Sequence, residues 1–465
     1  MKTDVVVIGG GPGGYVAAIR LSQLGKKVIL IEKEKMGGTC LQVGCIPSKA
    51  LIRVGKLLEE IENCSKLGIE ISGDINVNLP KLLEWKENTT KLLTKGVEGL
   101  CKANQVQILK GQAKFSGSHS VIVKNDGKEE TIEFDHCIIA TGSIPFEIPG
   151  FSFDGKKILN SSHALSLKEI PNQLAVIGGG YIGLELGSFY AKLGTQVTVI
   201  EMMPQLLPGF DLDAVKVIER KLRKDKVEIL LETKAINYKE QNGKVKLKVD
   251  RKGESIEIET DFILVTVGRK PYCKDLEIEK AGLKTNEKGF IPVNQSLQTH
   301  VSHIYAIGDI AKDPMLAHKA SKEGEVAAEH ICGKESTFDS QAIPAVVFTD
   351  PEMASVGLIE REAKDQGMEI LIGKFPMSAS SKAMIAGHTE GFVKIIADKN
   401  SRTILGVLIV GYEAGTMISE AAILVEMGAT LDDLALTIHP HPTLPESVME
   451  AAKAALGEPI HILKK

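Results

Sequence analysis

Apolar and polar positions alternate along this chain in a pattern that occurs twice. DVVVIGGGPGGYVAAIRLSQLGKKVILIE (4–32) aligns without gaps on QLAVIGGGYIGLELGSFYAKLGTQVTVIE (173–201). Each copy is an apolar run, a glycine cluster, a helix-like stretch ending in Leu-Gly, a second apolar run and a glutamate. That order predicts strand, tight turn, helix and strand, with the acid at the tip of the second strand. HCIIATGSIP (136–145) and DFILVTVGRKP (261–271) are apolar strands ending in small-residue turns and a proline, and read as exits from the two units. HIYAIGDIA (303–311) predicts a further buried strand, followed by a helix over 319–331. Residues 55–68 and 81–104 read as helices inserted in the first unit. From about 343 the pattern changes: KFPMSAS, EGFVKIIADKN and TILGVLIVG predict antiparallel strands, and AGTMISEAAILVEMGA a helix. Whether the apolar stretch 417–427 faces a core or an interface is open at this level.

The expected fold class is α/β, with two Rossmann-like dinucleotide-binding domains and a C-terminal α+β domain. The expected boundaries are 1–148, 149–270, 271–342 and 343–465. Gly9 and Gly178 permit the tight turn, Gly11 and Gly180 let backbone approach a pyrophosphate, and Gly14 and Gly183 let helix pack on sheet. The helix N-terminus then offers unpaired N–H groups to the phosphates. Glu32 and Glu201 follow at the spacing of an acid that binds ribose hydroxyls. One such glycine pattern is weak; two in matched settings, each with its acid, point to two dinucleotides per chain.

Composition narrows the alternatives. The chain has 465 residues, 43% of them hydrophobic and 25% charged, enough for about three domains with ample core. A net charge of −4 offers no basic field for nucleic acid. No apolar run reaches the roughly 18 residues that cross a bilayer, and MKTDVVVIGGG lacks the character of a signal peptide. A cytoplasmic location is expected. Cysteines stand at 40, 45, 64, 101, 137, 273 and 332, an odd and scattered set unlike a secreted disulfide framework. Only Cys40 and Cys45 are close. The next histidine is His119, so no metal is expected at this pair. Residues five apart on a regular helix lie roughly 8–9 Å apart at Cα, whereas a disulfide needs less than about 7 Å. A bonded pair therefore requires a distorted helix start, for which Gly44 supplies latitude. A small strained ring is more reducible and closes too short a loop to stabilise much. Redox use is favoured over a staple.

In order along the chain, GGGPGG (9–14), GGTCLQVGCIPSK (37–49), ATG (140–142), GGGYIGLE (178–185), YAIGD (305–309) and HPHPTLPE (439–446) resemble the pyridine nucleotide–disulfide oxidoreductase family. The resemblance implies FAD at the first glycine cluster, held by Gly9, Gly11, Pro12, Gly13, Gly14, Glu32 and Lys33. Gly38, Thr39, Cys40, Lys49, Ala113, Thr141, Gly142 and Ser143 would complete that site. Asp309 would hold the ribityl chain, and the backbone of Met315, Leu316, Ala317 and His318 would lie beside the flavin ring. NAD is implied at Gly178, Gly180, Tyr181, Ile182, Gly183, Glu185, Glu201 and Gly268, with Tyr181 as a movable cover. Glu201 would repel a 2′-phosphate, and Met202, Met203 and Pro204 supply no arginine for one, so NAD is expected over NADP.

The resemblance further implies that Cys40 exchanges with substrate while Cys45 is the charge-transfer thiol against the flavin. Lys49 would reach the flavin edge and pair with Glu185. His441 would be the base and Glu446 its orienting carboxylate, an arrangement that thiolate formation near neutral pH needs. Pro440 departs from the family pattern and stiffens this loop; spacing to the glutamate selects His441 over His439. Because the family's base comes from the other subunit, a homodimer is implied, with 343–465 as its interface domain. The implied reaction is oxidation of protein-bound dihydrolipoamide with NAD⁺. Its partner would be the lipoyl domain of a 2-oxo acid dehydrogenase complex or the glycine cleavage carrier protein, and the lipoyl group is expected on another chain. Glutathione-type reductases would want arginines beside Glu201, mercuric reductases a C-terminal cysteine pair, and transhydrogenases of this fold no cysteine pair. A non-enzymatic scaffold role would tolerate loss of Cys45.

Overall fold

The computed structural model describes residues 1–464 of the chain, which divides into two compact units. The first comprises Met1–Leu51, Val77–Phe146 and Gly268–Asp339. Within its seven-stranded sheet, strand Lys2–Ile8 is flanked in parallel by Val28–Glu32 and Lys128–Ile139. Val5, Val6 and Val7 are wholly buried, which is why this strand reads as an unbroken apolar run. Gln107–Lys110 extends one edge in parallel, and Ser120–Asn125 and Gln112–Gly117 extend the other antiparallel. Ile304–Ala306 adds in parallel to Lys128–Ile139. Phe115, Ile132, Ile139, Ile291 and Ile304 are among the side chains of the core here. Each fully buried group of this size contributes roughly 1.5–3 kcal/mol.

Helix Pro12–Gln23 opens on proline, whose missing N–H costs nothing in the first turn. It lies tightly against helix Ala317–Ile331: a Cβ on Gly13 would come 2.9 Å from the Ala320 carbonyl oxygen, and one on Gly324 2.5 Å from that of Gly13. Arg20 and Glu329 tie the same two helices by an ion pair. The helix expected over 55–68 starts earlier, as Cys45–Asn63, and closes in a 3₁₀ turn Cys64–Leu67. Pro47 sits within its first turn, where proline is tolerated. The second inserted helix is Leu79–Ala103, capped by Asn78, whose side chain accepts from the Lys81 N–H.

The second unit comprises Ile52–Asn76, Glu147–Val267 and the chain from Ser340 onward. Its parallel sheet runs Glu228–Leu230, Gln196–Ile200, Gln173–Ile177, Phe262–Val265, Ile158–Leu159. Thr233–Gln241, Lys244–Arg251 and Glu254–Thr260 form a separate antiparallel sheet. The C-terminal segment forms a five-stranded antiparallel sheet in the order Ala345–Val347, Glu352–Gly357, Ile404–Gly411, Phe392–Asp398, Ile370–Pro376. The strand expected to include KFPMSAS stops at Pro376 and passes into a 3₁₀ turn, Met377–Ala379. Helix Ala414–Glu426 resolves the open question about 417–427. Met417, Ile418 and Ala421 enter the core, whereas Ile423 and Met427 are exposed. Among the described residues, no helix is long and apolar enough to cross a membrane.

Buried charge is organised in clusters within this unit. Lys394, 2% exposed, reaches Asp211 at 2.7 Å, Asp213 at 3.0 Å and Glu360 at 3.2 Å. Lys192 bridges Glu59 and Asp350, each at 2.6 Å, and Lys221 bridges Glu59 at 2.9 Å and Asp225 at 2.6 Å. Burial would push the Asp350 carboxyl up, but Lys192 outweighs it and holds the group at about 2. A pKa depressed on folding contributes stability above the unfolded value of about 4, and that contribution is lost as pH falls through about 2. Asp350→Asn is therefore expected to lose roughly 3–5 kcal/mol at neutral pH. Denaturant unfolding repeated from neutral pH down to pH 3 should show a shallower acid loss in the variant. An identical slope in both proteins contradicts this assignment.

Candidate active site

The two glycine turns share their backbone geometry. Gly9 and Gly178 both have φ of +108°, and their N–H groups donate to Ile31 at 2.8 Å and Ile200 at 2.9 Å. A Cβ on Gly9 would meet the Ala140 carbonyl oxygen at 2.3 Å, and one on Gly178 the Thr266 carbonyl oxygen at 2.7 Å. On Gly14 it would lie 1.8 Å from the Gly9 oxygen, and on Gly183 2.4 Å from the Gly178 oxygen. By contrast a Cβ on Gly180 meets nothing within 4 Å, and one on Gly11 only the Gly38 Cα at 3.9 Å. Neither helix has a side-chain cap, so both present bare N–H groups over open space. Pyrophosphate fits both turns. Pro12, Gly13, Tyr181 and Ile182 fall in the first turns of these helices.

The acids do something the spacing rule does not state. Glu32 accepts from the N–H of Gly10 at 2.7 Å and of Glu34 at 2.8 Å. Glu201 repeats this with Gly179 at 2.6 Å and Met203 at 2.7 Å. Each carboxylate thus fastens its own glycine turn to the end of the second strand. A Cβ on the middle glycine of each cluster would crowd this contact, lying 3.1 Å from the carboxylate oxygen and closer still to Met36 Sδ at 2.7 Å or Leu206 Cδ2 at 2.6 Å.

The thiol segment begins where the first turn ends. Gly38 abuts Gly11, and the Gly37 N–H donates to the Gly10 carbonyl at 2.8 Å. A short helix, Gly38–Val43, carries Thr39 and Cys40, then breaks at Gly44 (φ −138°, ψ −115°), and a new helix starts at Cys45. A Cβ on Gly44 would meet the Thr39 oxygen at 2.8 Å and the Cys40 Cα at 3.2 Å. The break puts Cys40 and Cys45, both free thiols, in hydrogen-bond contact. That hydrogen bond first, and burial second, push the Cys40 thiol well up, with Lys49 pulling the other way. The Cys40 thiol therefore holds its proton. Tyr15, unremarked in the sequence, belongs to this neighbourhood: burial raises its phenol, and Cys40 and Cys101 add to that.

The rest of the first unit's site residues sit on strand ends and one helix start. Thr141 Oγ1 is buried with no hydrogen-bond partner among the described residues, and Gly142 has φ of +71°. An orphaned hydroxyl beside a pyrophosphate turn is what a flavin site would hold. Ser143 donates to Asp309 at 2.6 Å and accepts from Arg269 Nε at 2.8 Å. Met315 and Leu316 lead into helix Ala317–Ile331, whose N-terminus lacks a side-chain cap; His318 lies in its first turn. Glu323 and Lys319, both missed in the sequence, pin the YAIGD turn from behind. Glu323 accepts from Gly308 N–H at 2.6 Å, and Lys319 donates to the Lys312 carbonyl at 2.9 Å. No spacing rule connects these positions, which meet only because the helix folds back. Ala113 is buried in its strand, Lys33 is exposed over the Tyr272 ring, and Gly268 has φ of +131°. Among the described residues, no group of three or more His, Cys, Asp or Glu side chains is arranged to hold a metal.

In the second unit, Glu185 is buried on helix Tyr181–Lys192 and accepts from the Phe348 N–H at 3.0 Å. His441 Nδ1 lies 2.9 Å from Glu446, which also accepts from the Thr443 N–H at 2.7 Å. His441 is 70% exposed, leaving Nε2 open to solvent. Burial would raise the Glu446 carboxyl, but Thr443, His441 and His439 together hold it low. His439 turns inward instead, to Glu420.

A family model for pyridine nucleotide-disulphide oxidoreductases matches residues 3–324, and one for their dimerisation domain matches 343–452. The chain belongs to the pyridine nucleotide-disulphide oxidoreductase family. It is 47% identical to a dihydrolipoyl dehydrogenase of Geobacillus stearothermophilus, covering 100% of this chain and 98% of that one. Dihydrolipoyl dehydrogenases of Haloferax volcanii and Bacillus subtilis are 47% and 46% identical, over 100% of this chain and 98% of theirs. Among solved structures, LpdA of Mycobacterium tuberculosis has a TM-score of 0.91 at 27% identity, covering 97% of this chain and 99% of that one. The HOCl-induced flavoprotein disulfide reductase RclA of Escherichia coli has a TM-score of 0.86 at 26% identity, with coverage of 97% and 99%. The family's fold class, with its C-terminal dimerisation domain, is the one expected from the repeat, the change of pattern near 343 and the resemblance.

The two kinds of glycine are separable by experiment. Gly183→Ala is expected to destabilise the protein by on the order of 1–3 kcal/mol through overpacking. Gly180→Ala should cost about 1 kcal/mol or less, as a change at an open N-cap, yet weaken NAD⁺ binding several-fold. Thermal unfolding with an NAD⁺ titration checks both; equal destabilisation by the two variants is the contrary result.

Proposed function

We propose that this enzyme oxidises protein-bound dihydrolipoamide to lipoamide and reduces NAD⁺, using the Cys40–Cys45 pair. The carrying observation is the helix break at Gly44, which sets the two sulfurs against each other and holds the proton on Cys40. In the oxidised resting pair the sulfurs are bonded. His441 takes a proton from one substrate thiol, and that thiolate attacks Cys40 Sγ while Cys45 leaves as thiolate. The second substrate thiol, deprotonated in turn, attacks the substrate sulfur of the mixed disulfide. Oxidised lipoyl departs and the Cys40 sulfur takes the proton, leaving the dithiol state. Glu446 keeps Nδ1 of His441 as donor, so that Nε2 is the basic atom.

FAD is assigned to the first glycine turn, with Glu32 at its ribose and Asp309, oriented by Ser143, at its ribityl chain. Bound flavin supplies the two-electron carrier between the thiol pair and the nicotinamide. NAD is assigned to the second turn, with Glu201 at the ribose. Lys49 is assigned to the flavin edge, and Tyr181 and Glu185 to the nicotinamide side. A homodimer, in which His441 serves the thiols of the opposite chain, is supported by the match to a dimerisation domain and by apolar side chains left open there. Ile438 is 94% exposed and Leu436 82%. The lipoyl group arrives on a domain of a 2-oxo acid dehydrogenase complex or on the glycine cleavage carrier, in the cytoplasm.

Purified protein should be yellow and should oxidise dihydrolipoamide with NAD⁺ far faster than it reduces glutathione disulfide with NADPH. Cys40→Ser and Cys45→Ser should each lose more than about 10³-fold in dihydrolipoamide oxidation. Steady-state rates and absorbance spectra test this, and a glutathione preference or an active Cys45→Ser variant would refute it.

A further inference from the structure

The HPHPTLPE loop holds two histidine–carboxylate pairs in series, and only the second has a role so far. His439 is 6% exposed at its side chain. Its Nε2 lies 2.7 Å from Glu420 Oε1, and its Nδ1 lies 3.1 Å from the Thr437 carbonyl oxygen. Both partners are acceptors, a carboxylate oxygen and a main-chain carbonyl oxygen. A ring whose two nitrogens both face acceptors must donate from both, which only the imidazolium form does. Two residues further on, His441 faces solvent and leans on Glu446.

We infer that His439 is a fixed imidazolium, paired with Glu420, that positions the loop and sets the proton affinity of the His441–Glu446 pair. Both its ring nitrogens are engaged by Thr437 and Glu420, so it is a positioning residue; the inference rests on the reading of His441 as the base. A cation at this place stabilises the Glu446 carboxylate and disfavours a second positive charge on His441, keeping Nε2 free to take a thiol proton. The other charged groups on the packed elements are engaged elsewhere. Asp433 accepts from Thr430, and Asp432 pairs with Arg402 on the helix Leu431–Leu436. On helix Glu446–Ala455, Glu450 lies 3.0 Å from His461 and 3.6 Å from Lys453. On helix Ala414–Glu426, Glu426 accepts from the N–H groups of Gln341 and Ala342. Glu420 is thus the carboxylate that compensates His439.

The test is the acid limb of kcat/KM for dihydrolipoamide oxidation, which reports the base in the free enzyme. His439→Gln removes the cation and leaves Glu420 uncompensated. The limb should move to higher pH by on the order of half a unit, about a three-fold rate loss on that limb, and less in high salt. The double variant His439→Gln/Glu420→Gln restores net local charge and should return the limb toward wild type. A merely structural His439 would lower the rate at every pH without moving the limb, and the double variant would be no better; that result overturns the inference. Should His439→Gln not fold, ¹⁵N-histidine NMR of the native holoenzyme decides. One of the 11 imidazoles should stay doubly protonated at pH 8, and its absence overturns the inference as well. His441→Gln separates the two readings: full activity there refutes the base assignment itself, whereas an inactive His441→Gln beside an unmoved His439→Gln limb refutes only the role given to His439.

Discussion

Two sulfurs five residues apart in helical sequence can meet only if the helix between them is interrupted. The interruption at Gly44 is the constraint on which the chemistry depends. A side chain at that position would run into the Thr39 oxygen and the Cys40 backbone, so glycine is what allows Gly38–Val43 to end and Cys45 to restart. The restart has an electrostatic consequence as well. Cys45 stands at the N-terminus of a long helix, where unpaired N–H groups favour negative charge. Cys40 keeps the proton through its hydrogen bond and burial. Two chemically identical residues acquire different surroundings from one local break in the backbone.

The glycine turns show a related economy. Each is shaped by close approaches that only glycine allows, and each is fastened by the glutamate at the tip of the neighbouring strand. That acid therefore orders the turn whether or not a ribose is present, because its oxygens already accept backbone N–H groups. The same device appears in both copies with nearly the same distances, although the surrounding side chains differ: Met36 packs beside Gly10 where Leu206 packs beside Gly179. What repeats is backbone geometry plus one carboxylate.

Charge elsewhere is handled by pairing. Lys394 with its three carboxylates, and Lys192 and Lys221 around Glu59, are buried networks whose desolvation cost is met by multiple partners. Lys319 and Glu323 form a buried pair that also bonds the backbone on both sides of Asp309. At the His441 loop the pairing divides two like side chains as Gly44 divides the thiols. His439 is turned inward onto Glu420, and His441 outward with Glu446.

By itself the sequence determined the two dinucleotide units, their glycine turns and acids, the thiol pair and the change to an antiparallel C-terminal sheet. Such features are legible because apolar periodicity, glycine spacing and cysteine spacing are local, and local geometry dictates them. It also bounded the helix break, since the i, i+5 distance is a property of any helix. Tertiary structure alone decided the rest. Glu323 and Lys319 reach the turn around Asp309 because the following helix folds back, and Arg269 reaches the Ser143 that bonds Asp309, contacts which no spacing along the chain encodes. The KFPMSAS strand stopped at its proline, and the 417–427 helix proved apolar on two faces with different fates. Which of two adjacent histidines is buried depends on where Glu420 stands, on a helix about twenty residues upstream. Hydrogen-bond partners brought together by packing are set by the whole fold, whereas the elements themselves are set by their own residues.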